Sequence, residues 1–201
     1  MRVLLTWGAC YLLGAIPTAY LFAKLVKGVD IRTIGSGNVG ATNAFRTMGA
    51  WAGVTVFVID LFKGVMASRF LPAWLLGEVS GVTALGSGLM AVIGHDFPCW
   101  LRFRGGKGVA TPIGVLVGSS PLVAGVVAAT WVVFFALTRY VSLGSMVAAA
   151  AIPVSQLGAH QPLTAVGIGG VLGLLIIVQH RANLQRLLTG TEHRAWSQRR
   201  G

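Results

Sequence analysis

Three glycine-bearing polar strings interrupt an otherwise apolar chain: residues 34–49 (IGSGNVGATNAFRTMG), 94–111 (GHDFPCWLRFRGGKGVAT) and 180–192 (HRANLQRLLTGTE). Glycine-rich backbone beside Lys, Arg, Asn and His is chemistry for holding phosphate, because N–H groups in a tight turn converge on an anion and nearby cations neutralise it. In the first string the run Gly35-Ser36-Gly37-Asn38-Val39-Gly40 supplies such a turn, and Ser36, Asn38, Thr42 and Asn43 add side-chain donors for a phosphate or a hydroxyl. Arg46 follows with a planar fork suited to phosphate oxygens. The competing reading is a solvated loop with helix-capping residues. The run also fits G-x-G-x-x-G behind a β-like stretch at 29–34, with Asp60 beyond it. A dinucleotide fold is nevertheless excluded: too few residues separate Lys24 from Trp51 for a parallel sheet, and Asp60 falls inside an apolar segment.

The second string brings Arg102, Arg104 and Gly105-Gly106-Lys107-Gly108 ahead of Thr111. It is not a Walker A loop, since Leu101 stands where the first glycine belongs and Lys107 is not followed by Ser or Thr. Lys107 between glycines is still placed to act as a point charge on a phosphate. Its plainer alternative is a cationic membrane anchor, with Trp100 and Phe103 as interfacial aromatics. In the third string Leu184, Leu187 and Leu188 suggest a short helix stopped by Gly190, which puts His180 and Asn183 on one face with Arg186 partly rotated away. A histidine ending a span is otherwise a polar cap.

Several chemistries are missing. The chain has no H-E-x-x-H, no C-x-x-C, no paired carboxylates and no G-x-S-x-G, so metal-dependent hydrolysis, glycosidase and serine-elbow mechanisms do not apply, and neither metal nor cofactor is expected. None of the four histidines has Asp five residues on, so if acyl chemistry occurs here its donor must need little activation. His95, Asp96, His180 and Glu192 are the only general bases in the strings.

The elements that must position these strings are membrane helices. The chain is 55% hydrophobic and 10% charged, against about 25% charged in soluble domains, and 201 residues leave no room for a soluble domain beside spans of about 20 residues each. An all-α, polytopic bundle forming one domain over 1–201 is expected, with 28 glycines serving close helix packing. Spans are predicted at 3–23, 51–70, 79–93, 141–158 and 163–178, plus an uncharged stretch between Lys107 and Arg139. As one helix of about thirty residues that stretch would run about 45 Å, too long for a hydrocarbon core of about 30 Å, and Ser119-Ser120-Pro121 signals a turn within it. A hairpin there makes seven spans and places all three strings on one face. Lys24, Lys27, Arg32, Arg46, Arg102, Arg104, Lys107, Arg139, Arg181 and Arg186 then share that face, with Arg2 and Arg69 the exceptions. The positive-inside rule makes it cytoplasmic, with the N-terminus outside and the C-terminus inside. The segment 3–23 lacks a cleavage site and is read as the first span.

The net charge of +11 suits anionic lipids or substrates, not nucleic acid. Cys10 and Cys99, the only cysteines, exclude a disulfide framework. Asp60 and Lys63, three residues apart in the second span, are expected to pair, a structural feature of the bundle. Two rival readings remain in view. A small transporter would place its site at the bilayer midplane between repeats, whereas these strings emerge at one face and no repeat is visible. A lipid-binding scaffold accounts for the cations but not for Ser, Asn and Thr clustered with glycine.

Together the strings resemble the acyl-phosphate-dependent glycerol-3-phosphate acyltransferases of bacteria, the PlsY family. SGNVGATN, GGKG and HRANLQRLLTGTE carry the resemblance, which extends over essentially the whole chain; the polar tail after Glu192 is expected to be peripheral. It implies transfer of a fatty acyl group from acyl phosphate to the 1-hydroxyl of sn-glycerol 3-phosphate, giving lysophosphatidic acid and phosphate, the first acylation of phospholipid biosynthesis, at the bacterial inner membrane. Coenzyme A and acyl carrier protein are not donors, and no cofactor or obligate protein partner is implied. By motif, Ser36, Arg46 and Lys107 hold phosphates and stabilise transition-state charge, while His180 and Asn183 orient glycerol 3-phosphate. Gly37, Asn38, Gly40, Thr42, Asn43, Gly105, Gly106 and Gly108 shape the cradle, with Arg186 and Glu192 counted among the substrate-binding residues.

Overall fold

The computed structural model describes residues 1–77 and 79–195, all of them in helices, turns or irregular backbone. Helices α1 (Arg2–Ala15), α2 (Thr18–Lys27), α3 (Ala41–Met48), α4 (Ala50–Val65), α5 (Leu71–Leu76), α6 (Gly81–Asp96) and α7 (Ala110–Ser119) precede α8 (Pro121–Thr138), α9 (Val141–Gly158), α10 (Leu163–Gln179) and α11 (Arg181–Leu188). Residues 1–121 and 122–201 form two compact units. Among the described residues four stretches are long and apolar enough to cross a membrane, Arg2–Lys27, Ala50–Leu76, Pro121–Thr138 and Val141–Gly158, and a fifth if Leu163–Gln179 and Arg181–Leu188, bent by 58°, count as one. Helix α6, at 16 residues, and α7, at 10, fall below that length.

Three local departures from the expected pattern have plain causes. The first span is not one helix: Pro17 has no N–H to continue the ladder, so α1 ends at Ala15 and α2 starts at Thr18. The Ile16 carbonyl freed by the break accepts from Lys63 Nζ. The β-like stretch at 29–34 is a 3₁₀ turn, Ile31–Thr33, because the Asp30 side chain accepts the Arg32 N–H and caps it. The second span passes through a π-helical turn at Met66–Phe70, where Ser68 Oγ bonds the Gly64 carbonyl at 2.9 Å. By contrast the long uncharged stretch does divide into two helices, α7 and α8, at Ser120.

In the first unit helices approach through glycine. A Cβ on Gly14 would lie 1.9 Å from the Ala91 carbonyl oxygen and one on Gly94 2.1 Å from that of Tyr11, so α1 and α6 meet backbone to backbone. Gly64 and Gly114 do the same for α4 and α7. Small-residue contacts of this kind replace the hydrophobic drive that lipid cannot supply. One buried cluster joins Ala19 and Ala23 of α2, Ala44 and Met48 of α3, and Ala52 and Val56 of α4 to Ile31, Val39 and Leu101. It therefore anchors loops from both the first and the second string. In the second unit α9 and α10 pack at Gly173, whose Cβ would meet the Ala149 carbonyl oxygen at 2.5 Å.

Candidate active site

The first string is organised by Asn43. Its Oδ1 accepts the Ser36 N–H at 2.9 Å, and Nδ2 donates to the carbonyls of Ile31, Ile34 and Asn38 at 3.2, 3.1 and 3.0 Å. The side chain is 1% exposed. Asn43 is thus the brace of its own loop, and the reading of it as a donor to a ligand is corrected by that geometry. Two of the backbone donors of the glycine turn are also taken up: Ser36 N–H goes to Asn43 and Gly37 N–H to the Ile34 carbonyl. Gly35 and Gly37 have φ of 61° and 69°, which lets the chain double back around the brace. Facing outward are Ser36, Thr42 and Arg46, all exposed, with Gly40 capping α3. Beside them Asp30 is clamped by Arg32 at 2.6 Å, and those bonds hold its carboxyl down at about 2.

The second string folds onto the end of α6. Gly105 N–H donates to the Asp96 carbonyl at 3.0 Å and Gly106 N–H to that of His95 at 3.1 Å. A Cβ on Gly106 would lie 2.1 Å from His95 Nε2, and one on Gly108, where φ is +60°, 2.6 Å from Asp96 Oδ1. Lys107, half-buried, is flanked by two glycines whose α-carbons rest on side chains of α6. Arg102, Arg104, Trp100 and Phe103 are exposed on the preceding turn. With Arg32, Tyr20 and the Ile16–Pro17 break, the first three line an open cavity of about 950 Å³.

Behind the glycine loop lies a buried polar network. Asp60 and Lys63 pair at 2.9 Å as the spacing predicts. Thr18 Oγ1 also donates to Asp60 at 2.7 Å and lies within hydrogen-bonding reach of Lys63 Nζ, while His95 Nδ1 stands 3.8 Å from Asp60 Oδ1. The meeting of Thr18 and His95 with Asp60 escaped sequence reasoning because 42 and 35 residues separate them from it, and no local spacing encodes that encounter.

The second unit carries the third string. His180 sits at the corner between α10 and α11 with Nδ1 2.8 Å from the Ile176 carbonyl. A carbonyl only accepts, so Nδ1 carries hydrogen, and in the neutral ring the proton-accepting nitrogen is Nε2. Glu192 accepts from Ser142 Oγ at 2.8 Å, Asn183 Nδ2 at 2.7 Å and Arg186 Nε at 2.7 Å. Burial alone would raise its pKa, but the bonds from Asn183, Ser142 and Arg186 outweigh burial and hold it below the ordinary glutamate value. Glu192 and Arg186, expected to touch substrate, are thereby bound to each other. Ser142, on α9, is a partner that sequence did not reveal. The tail after Glu192 is peripheral only in part: Ala195 N–H donates to the Arg139 carbonyl at 2.8 Å, and residues 196–201 lie outside the described ones.

The family model described as glycerol-3-phosphate acyltransferase matches residues 4–190. The chain belongs to the PlsY family of glycerol-3-phosphate acyltransferases. It is 46% identical over 187 residues to the glycerol-3-phosphate acyltransferase of Gloeobacter violaceus, covering 92% of this chain and 91% of the relative. Identity to the Desulforudis audaxviator protein of the same name is 43%, with 96% of each chain covered. Among solved structures it is similar to the crystal structure of PlsY, an integral membrane glycerol 3-phosphate acyltransferase, in the glycerol 3-phosphate form (TM-score 0.90, 42% identity, 97% of this chain and 96% of that one). It is also similar to the lysophosphatidic acid form (TM-score 0.87, 41% identity, 96% and 95%). Membership of the PlsY family makes this a membrane protein of acyltransferase chemistry and phospholipid synthesis. What its site offers that chemistry is cationic and polar side chains on braced backbone; among the described residues no group of three His, Cys, Asp or Glu could hold a metal ion.

Proposed function

We propose that the chain transfers a fatty acyl group from acyl phosphate to the 1-hydroxyl of sn-glycerol 3-phosphate, releasing lysophosphatidic acid and inorganic phosphate. The observation that carries this reading is Lys107 on a glycine loop held to α6 by two backbone hydrogen bonds, in a chain of this family. An acyl phosphate is a mixed anhydride, so its carbonyl needs no protein nucleophile. The glycerol oxygen attacks the carbonyl carbon, the bond from that carbon to the phosphate oxygen breaks, and phosphate leaves with the hydroxyl proton. Positioning and electrostatic stabilisation then suffice.

Ser36, Arg46 and Lys107 hold phosphate and offset the charge that develops on the leaving group. Asn183 and His180 orient glycerol 3-phosphate. Asn38, Thr42, Gly37, Gly40, Gly105, Gly106 and Gly108 shape the loops, as does Asn43. Glu192 acts through Asn183, whose amide it orients, and Arg186 acts through Glu192. The whole chain works as one domain in the bacterial inner membrane, with seven spans, the N-terminus outside and the three strings at the cytoplasmic face. Uneven placement of Lys and Arg supports that orientation.

Purified protein incubated with palmitoyl phosphate and sn-glycerol 3-phosphate is expected to release phosphate and lysophosphatidic acid together. Palmitoyl-CoA as donor and the Lys107→Ala variant are expected to give neither. Turnover with palmitoyl-CoA at a comparable rate would overturn the donor assignment, and no turnover by folded protein with either donor would overturn the function.

A further inference from the structure

His95 joins the glycine loop to the interior of the membrane bundle. Its carbonyl accepts the Gly106 N–H at 3.1 Å, its Nδ1 lies 3.8 Å from Asp60 Oδ1, an electrostatic contact longer than a hydrogen bond, and its Nε2 packs so closely on Gly106 that a Cβ there would lie 2.1 Å from it. Asp60 is itself held by Thr18 Oγ1 at 2.7 Å and Lys63 Nζ at 2.9 Å. The imidazole is 9% exposed, so it has little freedom to turn. Lys107 is the residue after Gly106, and an ammonium on four flexible carbons is aimed only as well as its α-carbon is fixed.

We propose that His95 is a positioning residue for Lys107. The buried Thr18–Asp60–Lys63 network fixes the ring, and the ring's Nε2 edge seats Gly106. A buried ion pair adds little stability over apolar packing, and here its geometric product is a rigid bearing under the phosphate-holding lysine. The inference rests on the reading of Lys107 as a phosphate ligand. Displacing a reacting group by about 1 Å costs about a hundredfold in rate, so a loosened seat has a large effect without unfolding the bundle.

The test uses the intact protein in detergent, with inorganic phosphate, the proposed product, as the equilibrium probe by calorimetry. His95→Ala is expected to weaken phosphate binding about tenfold in the native background and not at all on top of Lys107→Ala, the non-additivity of residues acting through one another. His95→Asn, which keeps a polar group toward Asp60, covers the case in which His95→Ala does not fold. Gly106→Ala is expected to lower kcat/KM at least tenfold, and Gly106→Ala with His95→Ala to recover part of that loss, because the smaller side chain leaves room for the methyl group. Unchanged phosphate affinity in both His95 variants, equal weakening in both backgrounds, or a double variant no better than Gly106→Ala overturns the proposal. Undiminished phosphate binding and activity in Lys107→Ala would instead remove the role of Lys107 on which it rests.

Discussion

The Asn43 side-chain oxygen accepts the Ser36 backbone N–H at 2.9 Å, so a residue expected to help hold a ligand instead braces Ser36, which is proposed to hold phosphate. A serine offered to substrate from an exposed loop needs its backbone fixed, and Asn43 supplies that from beneath through four hydrogen bonds. Asn43→Ala strands the Ser36 N–H and the Ile31 and Asn38 carbonyls, while the Ile34 carbonyl keeps the Gly37 N–H, at about 1–3 kcal/mol for each group left unsatisfied. Melting temperature and kcat/KM are both expected to fall in Asn43→Ala, whereas Ser36→Ala is expected to lower kcat/KM with the melting temperature held. A Ser36→Ala variant as unstable as Asn43→Ala would show that the two act as one structural unit.

Gly108→Ala meets two obstacles at once. A left-handed φ of +60° costs a non-glycine residue about 1–2 kcal/mol, and the new Cβ would lie 2.6 Å from the Asp96 carboxylate. Activity is expected to drop at least tenfold. Gly8→Ala, a glycine in α1 with open space around it, is the control, with turnover unchanged. Equal activity in the two variants would mean that the loop relaxes freely.

Glu192 makes a pH prediction whose sign follows from its depressed pKa. A carboxylate held below its unfolded value contributes stability that is complete above that value, about 4.5, and is lost as pH falls through the folded pKa. The melting temperature of the native protein is therefore expected to fall more steeply than that of Glu192→Gln as pH drops below about 4.5, and Glu192→Gln is already less stable at pH 7. Parallel curves for the two proteins would remove Glu192 as a source of the pH dependence.

His180 presents Nε2 as its proton acceptor because Nδ1 donates to Ile176. If the leaving phosphate takes the hydroxyl proton, His180→Gln retains turnover within about tenfold at saturating substrate while KM for glycerol 3-phosphate rises. Loss of about 10²–10⁴-fold in kcat, the range for removal of a general base, would assign the proton to His180.

Much of this protein was legible before any coordinates. An apolar fraction of 55% with 10% charge dictates a membrane helix bundle, since only helices or closed barrels satisfy backbone polar groups in lipid. The Asp60–Lys63 pair follows from a spacing of three on one helix face, and the division of the 108–138 stretch from Ser119-Ser120-Pro121 at its middle. Local signals misled where a side chain overruled them. The stretch at 29–34 has strand-forming residues, yet the Asp30 cap makes it a 3₁₀ turn. Residues 3–23 have the hydropathy of one helix, yet Pro17 parts them and Lys63 takes up the carbonyl set loose.

Residue type and spacing alone determined which groups could meet phosphate, because charge, donor count and glycine content are properties of the chain itself. Tertiary structure decided which of those groups face outward and which brace the others. Asn43 and Glu192 turn inward to satisfy neighbouring polar groups, and His95, singled out by no motif, becomes the seat of Gly106. The reason is physical: a buried hydrogen-bonding group must find its partners wherever the fold brings them, and the 35 residues between Asp60 and His95 carry no local mark of that encounter.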